Sequence, residues 1–401
     1  MSNLINEKYT MRSCKCECFV DTAHNSDGTV NTSLRIRALP TMPLLFAYMP
    51  QEGLVRINNE TGVIESKNLL GELMGIHDGD KEGIMRFFRE NGFLFPISDD
   101  SLESFLFEDI FFILRRIRET LNIMSLLNEP RVQYKKIMST MCWLTLSRRI
   151  TIKSIDESKE EFKTCRHSYV KYMEAQQGGL YDSLSFDPYA SNDITVPDTI
   201  YPPETTISMS DLEKAAMKGV EGQEHSLSRF RAAVLFLNEK GETLSDRKII
   251  DYFYHLTTEV GNIVSVPEDK AEVVFDCDDA EIALRLSTQL RKASIDVAKI
   301  IIKEELDYAI NAIFPSYDIN AMTGAWVIPD LYSALVFSIF YMKPDLELYR
   351  KCENPNCGCY FLVSTTNSRR KYCSVECSNA MQQRKHRQRR KKASTEVDAE
   401  G

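Results

Sequence analysis

The chain has no apolar run long enough to cross a bilayer: its longest uncharged apolar stretch, Leu331–Met342, falls well short of the ~20 residues a spanning helix needs. Its first ten residues, MSNLINEKYT, are polar and lack the hydrophobic segment of a secretory leader. The expected location is therefore the cytoplasm, with no membrane partner. Catalytic signatures are missing as well. There is no P-loop, GxSxG, HExxH or dinucleotide fingerprint, and the six histidines are scattered. The Glu160-Glu161 and Glu304-Glu305 pairs lie in charged stretches of helical character and read as solvated faces rather than acid/base pairs. The expectation is a protein that is not an enzyme. No repeat of solenoid length is visible.

A positive balance is also lacking overall. The formal net charge is −9 and the pI about 5.4, which argues against nucleic acid for the chain as a whole. That total hides a division. From Arg350 to Lys392 there are twelve Lys and Arg against two acids, whereas residues 1–349 hold 37 basic and 53 acidic side chains. A basic module on an acidic body is a different electrostatic object from a uniformly acidic protein. With 401 residues, 43% hydrophobic and 27% charged, the chain is expected to form two or three ordinary globular domains.

Within the basic module lie five of the eleven cysteines. Cys352 and Cys357 have four residues between them, and Cys373 and Cys377 have three. In a reducing compartment such pairs read as metal ligands rather than disulfides. Zinc binds deprotonated sulfur, and four thiolates close its tetrahedral shell with no position left for water, so one structural Zn²⁺ is expected. Cys359, two residues past Cys357, is the rival ligand. Between the pairs, the apolar run to Val363 suits a strand, Thr365–Ser368 a turn, and Ser374 the cap of a helix with Cys377 in its first turn. That helix continues through seven Lys and Arg between Met381 and Lys392 and is polar on every side. It has nothing to pack against except solvent or a polyanion. The candidate phosphate contacts are Arg369, Arg370, Lys371, Arg384, Lys385, Arg387, Arg389, Arg390 and Lys391. Asn379, Gln382 and Gln383, near the helix start, are the candidates for base contacts.

The rest reads as mainly α with a small β-containing N-terminal region. Residues 1–70 hold short β-prone pieces (Cys18–Asp21, Leu34–Ala38, Leu54–Ile57, Gly62–Glu65) divided by turn residues at Asn25–Gly28 and Asn58-Asn59. Cys14, Cys16 and Cys18 alternate, so a strand points all three sulfurs one way; the reading is a small apolar face, with a soft-metal or redox site as the minority alternative. Residues 71–177 read as helical, with Ser101–Asn128, Val132–Arg149 and Asp156–Gln176 as helices. Residues 178–208 are Pro-, Ser- and Asp-rich and read as a linker or long loop. Residues 209–349 return to helix after a cap signal at Ser210-Asp211, over Ser226–Glu239, Ser245–Val264, Asp279–Ala293 and Ile295–Ile313, with a short strand at Glu272–Phe275. Pro329–Met342 is apolar enough to be buried, and Lys343-Pro344 ends it. The finger and basic helix occupy 350–392, and 393–401 reads as a disordered tail.

The C-terminal pattern resembles the CGNR zinc-finger family, whose members are predicted bacterial stress-induced transcriptional regulators. Pro329–Lys343 is similar to the family's lead-in helix, Cys352–Cys357 to its first knuckle, Phe361 to its aromatic strand position, and Arg369-Arg370-Lys371-Tyr372-Cys373 to its return. The signature tetrapeptide falls on Cys377-Ser378-Asn379-Ala380, which keeps Cys and Asn but replaces Gly and Arg, and the last two cysteines are one residue closer than the family's. The resemblance spans about 329–392 and implies a zinc-ribbon-like module of four cysteines followed by a basic, DNA-contacting helix. The expectation is a DNA-binding transcriptional regulator whose acidic body senses a signal or partner, with a homodimer compatible with its short footprint. The alternative is a zinc-stapled module for RNA or acidic protein, in which Tyr360, Phe361 and Tyr372 would offer stacking surfaces.

Overall fold

Two long strands open the structure, β1 (Thr10–His24) and β2 (Val30–Met49), paired antiparallel along their length. The computed structural model describes residues 9–24, 30–50, 52–66, 68–129, 131–152, 161–167, 194–196, 198–201, 205–207, 243–261, 263–319, 322–342, 347–357, 359–364 and 370–397. The β1–β2 register slips between Cys14, opposite Pro43, and Lys15, opposite Leu39. Pro40 and Pro43 have no N–H to give to a ladder, so the slip falls where pairing would be broken anyway. The other edge of β2 is then shared. β3 (Gly53–Ile57) pairs with its second half and β4 (Ile64–Ser66) extends that meander. After α1 (Leu69–Gly75) and α2 (Lys81–Asn91), β5 (Glu103–Leu106) returns to pair with residues 33–36 of β2, completing a five-stranded sheet.

The remaining elements alternate helices with short hairpins. α3 (Phe107–Leu127) and α4 (Tyr134–Leu146) precede the β6 (Thr151–Ile152) and β7 (Phe162–Lys163) pair, then β8 (Ile194–Val196) pairs with β9 (Thr205–Ile207). α5 (Leu244–Glu259), the β10 (Ile263–Ser265) and β11 (Val274–Phe275) pair, α6 (Asp279–Arg285) and α7 (Thr288–Ile310) follow. A hairpin of β12 (Phe314–Asp318) and β13 (Thr323–Val327) leads to α8 (Leu331–Tyr341). β14 (Glu347–Lys351) and β15 (Tyr360–Ser364) pair, and α9 (Val375–Val397) ends the described chain.

The mainly α reading with a small β region is therefore overturned. Among the described residues strands and helices are both abundant, with several antiparallel sheets and a large N-terminal β region. The short pieces read from sequence are fragments of long strands. Leu34, Ile36 and Ala38 are buried while Arg35 between them is exposed, but the continuations of β1 and β2 are held by pairing rather than by a clean alternation. Three helix boundaries also change. Glu103–Leu106, read as the start of a helix, is strand because β2 offers it an edge; its pattern alternates, with Glu103 and Phe105 buried. Residues 161–167, read as helix, hold the two-residue strand β7 and an extended run. The helix over Asp279–Ala293 is broken at Leu286-Ser287, where Ser287 Oγ accepts from Leu290 N–H at 3.1 Å and so starts α7. The turn at 25–28, the cap at Ser210-Asp211, the helix over 226–239, Lys343-Pro344 and most of 178–208 lie outside the described residues. Among the described residues no helix is long and apolar enough to cross a membrane.

Contacts divide the chain into two units. The first comprises Met1–Leu121, Ile150–Lys163 and Leu306–Gly401. It contains the five-stranded sheet and α8, whose residues Leu331 to Ile339 are all buried, as their apolar run predicts. Asp330 caps α8 by accepting from Ser333 N–H at 2.6 Å. The Phe337 ring lies 5.0 Å from both Tyr9 and Tyr341 and 5.3 Å from Trp326. Tyr9 fastens the N-terminal strand to this helix by donating to Ala334 O at 2.6 Å. Truncating Phe337 to Ala costs about 3–5 kcal/mol by the usual core-cavity scale.

The second unit comprises Asn122–Arg149 and Thr164–Glu305. Its core holds Trp143 of α4, Tyr252 and Phe253 of α5, and Leu290 and Ile301 of α7, all buried. The polar atoms of the large rings are satisfied: Trp143 Nε1 donates to Pro267 O at 2.7 Å, and Tyr252 OH meets Ser294 Oγ at 3.1 Å.

Candidate metal centre and basic helix

The residues of the candidate metal centre come from three places in one small module: the ends of the β14–β15 hairpin, the return segment at 370–373, and the first turn of α9. Backbone bonds set them. Cys352 N–H donates to Cys359 O at 2.8 Å, closing the hairpin, and Cys357 N–H donates to Asn354 O at 2.9 Å, making the knuckle turn. Glu353 N–H donates to Lys371 O at 3.0 Å, which joins the first knuckle to the return. Ser374 Oγ accepts from Cys377 N–H at 3.3 Å, the helix cap the sequence leads one to expect.

The four sulfurs of Cys352, Cys357, Cys373 and Cys377 all lie within 4.8 Å of one another. Cys357 and Cys373 are 3.5 Å apart, and Cys373 and Cys377 3.6 Å. A tetrahedron of Zn–S bonds has edges of about 3.8 Å, so the donor set fits a zinc ion with only small adjustment. Cys359 is outside this set; its Sγ meets Tyr360 O at 3.4 Å and its backbone abuts Gly75 of α1. Without a cation the crowding is costly to the anions. Burial pushes Cys357 up, and burial together with the surrounding thiols pushes Cys373 well up. Cys377 is held down at about 7, chiefly by the Asn354 side chain, with Cys373, Cys357 and Ser374 contributing.

Cys352, Phe361 and Val363 form the module's buried centre, with Tyr372 and the other three ligands packed around them. Three residues make a very small core, and a cation on the four sulfurs would cross-link the knuckles that this core alone holds weakly. Asn68, just before α1, joins the hairpin to the sheet domain. Its Oδ1 accepts from Tyr349 OH at 2.9 Å and from Gly71 N–H at 3.1 Å, and its Nδ2 donates to Tyr360 O at 3.3 Å. Sequence reading missed Asn68; a side chain serving a partner 292 residues away leaves no local pattern.

The expected nucleic-acid residues divide by position. Arg370 works inside the module: its guanidinium lies 5.0 Å over the Phe361 ring and donates to Tyr372 O at 3.2 Å and to Cys373 O. Lys371 pairs with Glu353 at 3.0 Å on the surface. Asn379, Gln382, Gln383, Arg384, Lys385 and Arg387 are exposed on α9. Arg369 lies outside the described residues, and Arg389, Arg390 and Lys391 belong to α9 with side chains outside them. Near the N-terminus, Cys16 and Cys18 are buried and pushed up to about 12, Cys16 by burial and its neighbouring thiols, Cys18 by burial against the opposing charge of Arg89. They form part of the sheet's apolar face and of no metal cluster among the described residues.

A four-thiolate centre on a hairpin, followed by a helix whose first turn carries the last ligand, defines a zinc-finger class of module. The family model of the CGNR zinc finger matches residues 349–390, which take in most of the hairpin, both knuckles and the first two thirds of α9. No curated protein and no solved structure matches the chain.

Proposed function

We propose that this protein is a DNA-binding transcriptional regulator in which one structural Zn²⁺ on Cys352, Cys357, Cys373 and Cys377 presents α9 to DNA. When bound, the ion supplies the cross-link between the knuckles. The observation that carries the reading is the asymmetry of α9. Its first turn is fixed by the Ser374 cap and Cys377, while Arg384, Lys385 and Arg387 beyond it are exposed and, among the described residues, have no carboxylate partner. A rigidly anchored basic helix neutralises phosphates at a lower entropy cost than a free tail. Asn379 and Gln383, one helical turn apart, lie on one face and have the chemistry to read adenine edges.

The body would supply the signal. A cavity of ≈ 340 Å³ in the first unit is lined by Phe95, Phe162, Tyr308, Asp330 and Tyr332, and it reaches the start of α8, the helix that precedes the finger. Glu161, Lys163 and Asp330 share its lining with the aromatic rings, so a cavity of that size suits a small effector that carries both apolar and polar groups. The reading assigns no catalytic step.

The RNA alternative has less stacking surface to draw on. Phe361 is buried, and Tyr360 and Tyr372 are half-buried, Tyr372 packed on the knuckle core. Fluorescence anisotropy of zinc-loaded full-length protein against a duplex DNA and a single-stranded RNA of equal length separates the two. The account expects tighter duplex binding. Preference for the single strand, or no binding to either, would replace it with the RNA or protein-docking reading.

A further inference from the structure

We propose that the second unit holds another metal site, unrelated to the finger, in which Cys165, His167 and Glu305 bind a divalent transition-metal ion. In the extended segment after β7, Cys165 and His167 are two residues apart and so face the same side. α7 brings Glu304 and Glu305 against them. The Cys165 sulfur, a His167 ring nitrogen and a Glu305 oxygen all lie within 4.8 Å of one another. His167 is 1% exposed and Glu305 8%. The reading of Glu304-Glu305 as a solvated pair is therefore overturned for Glu305.

Both nitrogens of the imidazole face carboxylates. Nδ1 is 2.6 Å from Glu304 Oε2, and Nε2 is 2.8 Å from Glu305 Oε1. A neutral imidazole carries one N–H and one lone pair, so it can donate to only one of the two. If Nδ1–H donates to Glu304, the Nε2 lone pair faces a carboxylate oxygen, and a cation between them turns that repulsion into two bonds. Glu304 then serves as the outer carboxylate that fixes tautomer and ring orientation, the arrangement found behind metal-bound histidines. The Cys165 sulfur, now 3.5 Å from Glu304 O, supplies the third donor.

The donor set selects the ion. One sulfur, one imidazole and one carboxylate suit Zn²⁺, Co²⁺ or Fe²⁺ and disfavour Mg²⁺ and Ca²⁺, which take oxygen shells. Tetrahedral bonds of about 2.0–2.1 Å put nitrogen and oxygen about 3.3 Å apart, so loading opens the Nε2–Oε1 pair by about 0.5 Å. Three protein ligands leave a fourth position for water or an exchangeable group, which distinguishes this site from the closed four-thiolate finger.

The test is metal stoichiometry and Co²⁺ spectroscopy on the full-length protein, equilibrated with Zn²⁺ or Co²⁺ and dialysed. Wild type is expected to hold two ions per chain, Cys373→Ser one, and His167→Gln one. Glu304→Ala is expected to keep two at saturation but to bind the second about 10–100-fold more weakly, as loss of an outer partner does. With Co²⁺, the second equivalent should add a thiolate-to-metal absorption that Cys165→Ser removes. A single ion in wild type would overturn the proposal and leave a protonated imidazole clamped between two glutamates. Two ions retained in His167→Gln would overturn it as well. Should a substitution prevent folding, the wild-type stoichiometry and the spectrum of its second Co²⁺ still decide.

Discussion

Replacing Asn68 by Ala should release the zinc-finger hairpin from the sheet domain while leaving both folded. Three contributions add at this residue. Its backbone sits at φ 54°, ψ 51°, a left-handed conformation that Asn tolerates and Ala does not, at a cost of about 1–2 kcal/mol. Its side chain caps α1, worth about 1 kcal/mol. Its bonds to Tyr349 and Tyr360 are the side chain's hold on the hairpin, worth about 0.5–1.5 kcal/mol each. The expected loss is about 3–6 kcal/mol for Asn68→Ala and roughly 1–2 kcal/mol less for Asn68→Gly, which keeps the same contacts broken but removes the backbone penalty. Hydrogen–deuterium exchange on the zinc-loaded protein reads this locally. Amides of β14, β15 and α1 should lose protection, and those at the β1–β2 centre should not. Equal effects of Ala and Gly would refute the backbone argument, and unchanged exchange in β14 and β15 would refute the docking role of Asn68.

Gly71→Ala should weaken the same junction from the other side, since a Cβ there collides with the Asn68 side chain and the Tyr360 carbonyl; a loss of about 1–3 kcal/mol in hairpin protection is expected, and none would show that the junction adapts freely. Chelation should unfold the finger alone, because Cys352, Phe361 and Val363 are too small a core without an ion; near-UV circular dichroism should change and recover on adding Zn²⁺, whereas an unchanged spectrum would mean the module stands without metal. Acid should loosen the second unit through Asp198. Burial pushes this carboxyl up, but the His255 hydrogen bond at 2.7 Å, the N–H groups of Tyr201 and Ile200 and the imidazole charge outweigh it and hold it at about 2. A depressed carboxyl stabilises above its ordinary value, so about 1 kcal/mol, after allowance for screening, is present above pH ~4 and lost as pH falls toward 2. Asp198→Asn should flatten that part of the stability–pH curve, and a wild-type slope surviving in the variant would assign the loss elsewhere.

The legibility of the sequence tracks the range of the forces involved. The finger's ligands lie in short pairs within 26 residues, and the Ser374 cap acts on its own helix, so spacing and type suffice. The buried α8 announces itself by composition. The long strands do not, because β1 and β2 are held across a bulge at prolines that locally read as breaks. β5 reads as helix for a related reason: Phe105 and Ile110 fit a helical period, and only the waiting edge of β2 makes Glu103–Leu106 extended. The β12–β13 hairpin escapes sequence reading because its strands are largely exposed and show no buried face. His167 is buried beside residues 137 and 138 positions away, a distance at which scattered histidines look idle.

The most direct test of the proposed DNA role is the salt dependence of duplex binding by zinc-loaded wild type and an Arg384→Gln/Lys385→Gln/Arg387→Gln variant, titrated between about 50 and 200 mM. Each neutralised phosphate contributes a slope of about −0.9 in log K against log salt. The account predicts that the variant binds more weakly and that its slope is shallower by about two to three such contributions. Equal affinity and equal slope in the two proteins would contradict it, and would mean that α9 is not the element that meets DNA.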